Sequence, residues 1–368
     1  MPDSRVANLA RTLVEYCVAL KPGDLVAISA APRAAPLVTE VYRRALAAGA
    51  LPYVQVRLPG LDRILFSEGN DEQVSHVSKV DEMVRGKFDA LIAIRSAENT
   101  RELANVDPAR QALRAKANAP LMETFMRRSA AGELRWVGTL YPTPAFAQDA
   151  EMSLEEFEDF ALGAMYADTD DPVAHWRQIR DRQQRIVDWL ANKHELAVKG
   201  PDVDMTLSIA GRSFINSDGT HNMPSGEVFT GPVEDSVNGW VRFSYPAVTA
   251  GREVEGIELH FADGRVVEAS AAKNEEFLLS RLDTDEGARY LGEWAIGTND
   301  MIQRFTKNIL FDEKIGGTIH MAVGAGYPDT GSKNKSAVHW DMICDMRGGG
   351  TISADGEVFY ESGAFLID

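Results

Sequence analysis

Apolar residues Val6, Leu9, Leu13, Val14 and Val18 recur at helical spacing, which predicts an amphipathic helix over residues 5–20. The period then changes. Pro22-Gly23 marks a turn, and the run from Leu25 to Ser29 predicts a short buried strand. "PLVTEVYRRALAAGA" returns to helical spacing and ends near Gly49, and "LPYVQVRL" is again strand-like. "FDALIAIRS" at 88–96 and "LRWVGTLYP" at 134–142 predict two further strands, with a helix at "RQALRAKANA" between them. Strands alternating with helices predict an α/β domain over residues 1–150. That domain has no GxGxxG after its first strand and no GxxxxGK[ST], so it lacks a phosphate-binding signature.

Residues 151–195 read as a helical connection. Ser153 and Glu156 form a capping-box pattern, and "DPVAHWRQIRDRQQRIVDWLANK" is a long amphipathic helix. His175 and His194 fall on or beside these helices and read as surface or helix-end polar residues. From residue 196 glycines become frequent and the apolar runs short. "VDMTLSIAG", "SFINSDG", "GWVRFS", "VEGIELHFADGRVVEAS" and "GTIHMAVGAG" predict strands, with one helix at "NEEFLLSRLD". "DGRVVE" and "DGEVFY" each open with an Asp-Gly pair suited to a hairpin turn. The fold expected is an α/β N-terminal domain plus an α+β, strand-rich C-terminal catalytic domain over 196–368.

Composition narrows the classes. The 368 residues are 45% hydrophobic, ample for real cores. A formal net charge of -17 argues against a general nucleic-acid binder, which needs fields of Lys and Arg. Cys17 and Cys344 lie near opposite ends of the chain, too few for a disulfide scaffold or a four-cysteine zinc site, and read as buried free thiols. The N-terminal segment lacks the pattern of a signal peptide, and no uncharged apolar run of 18 residues occurs, so the expectation is a cytoplasmic protein with no membrane partner.

Candidate chemistry lies in the second half. In "NMPSGEVFTGP", Glu227 follows a Pro-Ser-Gly turn at the mouth of a strand. In "RYLGEWAIGTN", Glu293 sits among apolar neighbours, where a buried carboxylate needs a partner. In "GGTIHMAVGAGYPD", alternation puts Thr318, His320 and Ala322 on one face and Ile319, Met321 and Val323 in the core. In "SAVHWDMICD", His339 and Asp341 share a face while Trp340 and Met342 take the other. Each has a plainer reading: a surface turn for Glu227, an ion pair with Arg289 for Glu293, a backbone-bonded core histidine for His320, and a private pair for His339 and Asp341. Together they amount to three carboxylates and two imidazoles. Two divalent ions would be neutralised by those carboxylates and one bridging hydroxide, the charge balance of a dinuclear hydrolase. Oxygen and nitrogen donors suit zinc, cobalt or manganese.

These segments, in this order, resemble the thermophilic-type metalloaminopeptidase family. "NMPSGEVFTGPVEDSVNG", "YLGEWAIGTN" and "IHMAVGAGYPDTGSKNKSAVHWDMI" carry the resemblance, and "YPTPAFAQDAEMSLEEFEDF" resembles the family's inter-domain segment. The resemblance implies an aminopeptidase acting on peptide substrates. It implies Glu227, Glu293, His320, His339 and Asp341 as ligands of two divalent ions, zinc or cobalt first and magnesium or manganese next, and Tyr327 beside the bound water or substrate. It also implies a homodimer. Ser225 stands where the family commonly has Thr or Gly. His221, six residues before Glu227, falls where the family has no ligand and reads as a turn or substrate-rim residue.

A hydrolase must also protonate the leaving amine. Val228, after Glu227, cannot do so, so Glu227 or Glu293 must serve unless another acid is near, and Glu293 is favoured for a dual role as ligand and proton carrier. By the resemblance Tyr327 is the candidate donor to the oxyanion, its plainer role being packing at the loop. Lys333 and Lys335 either receive a peptide carboxylate or are solvated, and Arg212, Arg242 and Arg304 carry no assignable role. Two other classes compete. His320, His339 and Asp341 could form the facial triad of a mononuclear iron ring-cleaving dioxygenase. A non-catalytic metal-binding protein is the other.

Overall fold

The computed structural model describes residues 3–249 and 251–367. The chain forms two compact units. One comprises residues 1–175 with 219–224, and the other 176–218 with 225–368. This division differs from the one expected along the sequence. Residues 151–195 do not form a body of their own: helix Leu154–Ala164 belongs to the first unit, and helix Pro172–Leu190 runs on into the second. The first unit also recruits a distant piece of chain, because Asn222–Met223 pairs in parallel with Arg135–Leu140.

The first unit is an α/β layer built on an all-parallel sheet. Its order is Leu51–Val56, Leu25–Ala30, Ala90–Arg95, Arg135–Leu140 and Asn222–Met223. The four longer strands are those read from the apolar runs. The first predicted helix is present as Ser4–Arg11 continued by a π-helical stretch, Thr12–Cys17. Ser153 and Glu156 form the reciprocal capping box expected of their spacing.

The second unit is strand-rich. An eight-stranded antiparallel sheet includes both Asp-Gly hairpins, and in each the Asp and Gly have positive φ, as a two-residue turn of this hand requires: Asp263 and Gly264, Asp355 and Gly356. A five-stranded antiparallel sheet runs in the order His339–Asp345, Thr318–Gly324, Leu291–Gly297, Glu227–Thr230 and Ile215–Ser217. Trp294, Met321, Met342, Val228 and Ile319 from this sheet share one apolar core with Met205, Leu207, Val241 and Leu259 from the larger one. Burial of that face fixes the register, because a one-residue slip would exchange the two faces. Cys17 and Cys344 are buried and, among the described residues, in no disulfide. Among the described residues no helix is long and apolar enough to cross a membrane.

Candidate metal centre

Pairing within the five-stranded sheet dictates where the polar residues meet. Asp341 lies opposite Ala322, which lies opposite Glu293. Gly297, four residues beyond Glu293, lies opposite Glu227. His320 and His339 are each two residues from a member of that row, so alternation puts all five side chains on the face turned away from the core. Four adjacent strands thus each contribute: His339 with Asp341, then His320, Glu293 and Glu227.

Two glycines make this possible. Gly226, before Glu227, has φ +117°, and an added Cβ would lie 2.8 Å from the Asn299 Cβ. Asn299 Nδ2 donates to the Ser225 carbonyl at 2.9 Å, locking the turn that aims Glu227. Gly292, before Glu293, has the Ala325 carbonyl oxygen 2.2 Å from where its Cβ would be. A side chain there would push the Tyr327 loop off the sheet.

The five groups interleave. His320 Nε2 is 3.3 Å from Glu227 Oε2 and 3.5 Å from Glu293 Oε1. His339 Nε2 is 3.4 Å from Glu293 Oε2 and 3.5 Å from Asp341 Oδ1. Glu293 therefore turns one oxygen to each imidazole. Two sets of three ligand atoms, each within 4.8 Å of one another, follow: Glu227, Glu293 and His320, and Glu293, His339 and Asp341. The separations are wider than the roughly 2.7–2.9 Å of a charge-assisted hydrogen bond. They match the spacing of about 3.4 Å between tetrahedral ligands that each lie ~2.1 Å from one ion. Both ring nitrogens of His320 and Oε2 of Glu227 are buried without a hydrogen-bond partner, although His320 is only 1% exposed. A private set of ion pairs would not leave these atoms unsatisfied. Such a donor set fits divalent metal. The ring of His339 is also oriented for it: Nδ1 donates to the Ala325 carbonyl at 2.8 Å, leaving Nε2 toward the carboxylates.

Without metal, the two imidazoles bind protons strongly. Burial acts to lower His320, but the Glu293 and Glu227 carboxylates outweigh it and hold the imidazole up at about 9. Burial likewise opposes His339, which Asp341 and Glu293 raise to about 11. Glu293 and Asp341 are held below their ordinary values despite burial, Glu293 by both imidazoles and Asp341 chiefly by His339. Burial raises the Tyr327 phenol, and the carboxylates add to it, so the hydroxyl stays a donor at neutral pH. Tyr327 is 42% exposed, with its ring 5.2 Å from that of His339 and 5.5 Å from that of Phe229.

Two charged residues here were not singled out in the sequence. Glu313 forms a third set with His320 and Asp341. Burial pushes its carboxyl up to about 8, against the pull of Lys314. Lys314, wholly buried, contacts Glu313 and reaches Glu227 Oε1 at 3.7 Å. A signal was available in "LFDEKIGG", where Glu-Lys interrupts an apolar run just before the His320 strand. Arg212, without a role in the sequence reading, pairs with Glu234 and contacts the Gly331 carbonyl, while Glu234 accepts from the Lys333 backbone N–H at 2.6 Å. This pair anchors the loop that carries Tyr327. Lys333 and Lys335 are exposed. Arg289 pairs with Asp283 at 2.7 Å rather than with Glu293. His221 packs edge-on against Trp136 in the first unit and belongs to none of the candidate metal sets among the described residues.

Comparison with known proteins gives the family. A profile of the family described as "Thermophilic metalloprotease (M29)" matches residues 2–365. The chain is 32% identical to Aminopeptidase 2 of Geobacillus stearothermophilus, over 96% of this chain and 94% of that one. It is 30% identical to Aminopeptidase T of Thermus thermophilus, over 73% and 72%. The solved structure of wild-type AmpT from Thermus thermophilus superposes with a TM-score of 0.86 at 25% identity, covering 99% of each chain. The family match and these relatives define a metal-dependent peptidase. The chain belongs to the thermophilic metalloprotease family M29, and is a metalloaminopeptidase.

Proposed function

We propose that the enzyme removes the N-terminal residue of peptides at a dinuclear centre, with a hydroxide bridging two divalent ions. Glu227, Glu293 and His320 would hold one ion, and Glu293, His339 and Asp341 the other. The observation that carries this reading is Glu293, which offers one oxygen to the His320 side and the other to the His339 side. Zinc or cobalt suits the mixed oxygen and nitrogen donors best, with manganese or magnesium next. When bound, the ions supply Lewis acidity and a water that ionises near neutral pH. Against the dioxygenase alternative, no candidate set among the described residues contains both histidines, as a facial triad would require.

The protein's own groups do the rest. Tyr327, a neutral phenol beside His339, is the donor to the developing oxyanion. Glu293 carries the leaving-group proton only if no other acid is near. Glu313 is such an acid: its carboxylate shares a set with His320 and Asp341, and burial raises its carboxyl. Because both Glu293 oxygens face imidazoles, we assign the proton to Glu313 and keep Glu293 as the competing assignment. Lys314 holds Glu227 Oε1, so that Oε2 faces His320.

Stepwise addition of zinc or cobalt to chelated enzyme, followed by hydrolysis of a leucyl peptide, tests the stoichiometry. Activity should require close to two equivalents per chain. Full activity at one equivalent would remove the bridging role of Glu293.

A further inference from the structure

The parallel sheet of the first unit holds a second site. Leu25–Ala30 lies between Leu51–Val56 on one side and Ala90–Arg95 on the other, so the strand order reverses there. Connections leaving the two strands at such a reversal diverge and open a crevice beyond their carboxyl ends. A cavity of about 600 Å³ occupies that position, lined by Ala30 and Ala31 after one strand and by Arg95 and Ser96 after the other. Its wall is largely apolar, with Ile94, Leu103 and Phe146 prominent.

Three charged side chains share this wall: Arg57, Arg95 and Glu102. Arg57 is steered by a hydrogen bond from its Nε to Ser29 Oγ at 3.0 Å, with its far nitrogen 3.8 Å from Asp81. Among the described residues, neither the Arg95 guanidinium nor the Glu102 carboxylate has a hydrogen-bond or ion-pair partner, and they do not pair with each other. Opposite charges held apart around an apolar cavity match a ligand that carries both signs and an apolar body. Guanidinium groups favour carboxylates, which they can grip through two parallel hydrogen bonds.

We propose that this crevice binds a free α-amino acid with an apolar side chain. Its carboxylate meets Arg95 and Arg57, its ammonium meets Glu102, and its side chain lies against Ile94, Leu103 and Phe146. An aminopeptidase releases molecules of this class, so the site would sense the enzyme's own product. The proposal does not rest on the number of metal ions.

Calorimetric titration of the full-length enzyme, as purified, with L-phenylalanine tests it. The same titration is made on Arg95→Gln, Glu102→Gln and, as a control for product binding at the metal centre, Glu293→Gln. Arg95 is exposed and Glu102 half-buried, so neither substitution threatens the core. Arg95→Gln and Glu102→Gln should each weaken crevice binding at least about tenfold, and Glu293→Gln, which disables only the metal centre, should retain that crevice binding. Phenylpropionate, lacking the ammonium, and phenethylamine, lacking the carboxylate, should bind more weakly than phenylalanine by a similar factor. The proposal is overturned if phenylalanine does not bind. It is also overturned if binding survives in Arg95→Gln and Glu102→Gln but is lost in Glu293→Gln. Equal binding of phenylpropionate would make the crevice a general anion site and would likewise overturn it.

Discussion

At the residue scale, each polar group of the centre is read through what its neighbours demand of it. His320 and His339 have folded values of about 9 and about 11, above their ordinary 6.5. Groups raised in this way stabilise the metal-free protein fully below pH 6.5, and that contribution is lost as pH rises through 9 and then 11. Glu293 and Asp341 are lowered from ordinary values of 4.5 and 3.8, so their contribution is present above those values and is lost as pH falls below them. The chelated enzyme should therefore lose stability from about pH 6.5 to about pH 11, measured by urea unfolding. The metal-loaded enzyme, whose imidazoles are neutral, should lose less. Parallel profiles would contradict the assignment of these histidines as ligands. Two substitutions separate the catalytic roles. Tyr327→Phe should lower kcat by about 10²–10³ with metal content unchanged. Glu313→Gln should lower kcat by about 10²–10⁴ and flatten the alkaline limb of the pH-rate profile. Full turnover in Glu313→Gln, with metal content unchanged, would return the proton to Glu293.

At the element scale, the centre depends on strand alternation and on the turns that lead into the strands. Gly226→Ala places a Cβ against Asn299 at a positive φ. It should cost about 1–3 kcal/mol, lowering the midpoint of thermal unfolding, and it should weaken metal binding through Glu227. An unchanged midpoint with unchanged metal content would show that the turn does not aim Glu227. Much of this scale was legible in the chain. The alternation in "TIHMAVG" and "HWDMICD" separates ligand face from core face without any long-range information, and both Asp-Gly turns fall as read. What alternation does not carry is contact between distant segments. Asn222–Met223 is too short to stand out as a strand, and it exists only because Arg135–Leu140 offers a parallel edge. Glu313 and Lys314 lie in no periodic element, so their burial follows from the site itself. The helices Leu61–Glu68, Asp71–Ser75 and Lys79–Lys87 went unread because they are short and interrupted by turns.

At the scale of the whole molecule, the formal net charge of -17 includes the carboxylates gathered at the centre. Part of that acidity becomes metal-binding capacity once the imidazoles give up their protons. We also propose a homodimer in the cytoplasm, on the strength of the family resemblance. Sedimentation at micromolar concentration should give twice the 40.4 kDa chain mass, and a monomer would contradict that proposal. The central claim is the pair of ions shared across Glu293. Elemental analysis of the purified enzyme and of Glu293→Gln, paired with leucyl-peptide hydrolysis before and after chelation, tests it most directly. The account predicts close to two divalent ions per chain, loss of activity on chelation, recovery with zinc or cobalt, and depletion of both ions in the variant. One ion per chain, or a Glu293→Gln enzyme that keeps both ions, would contradict it.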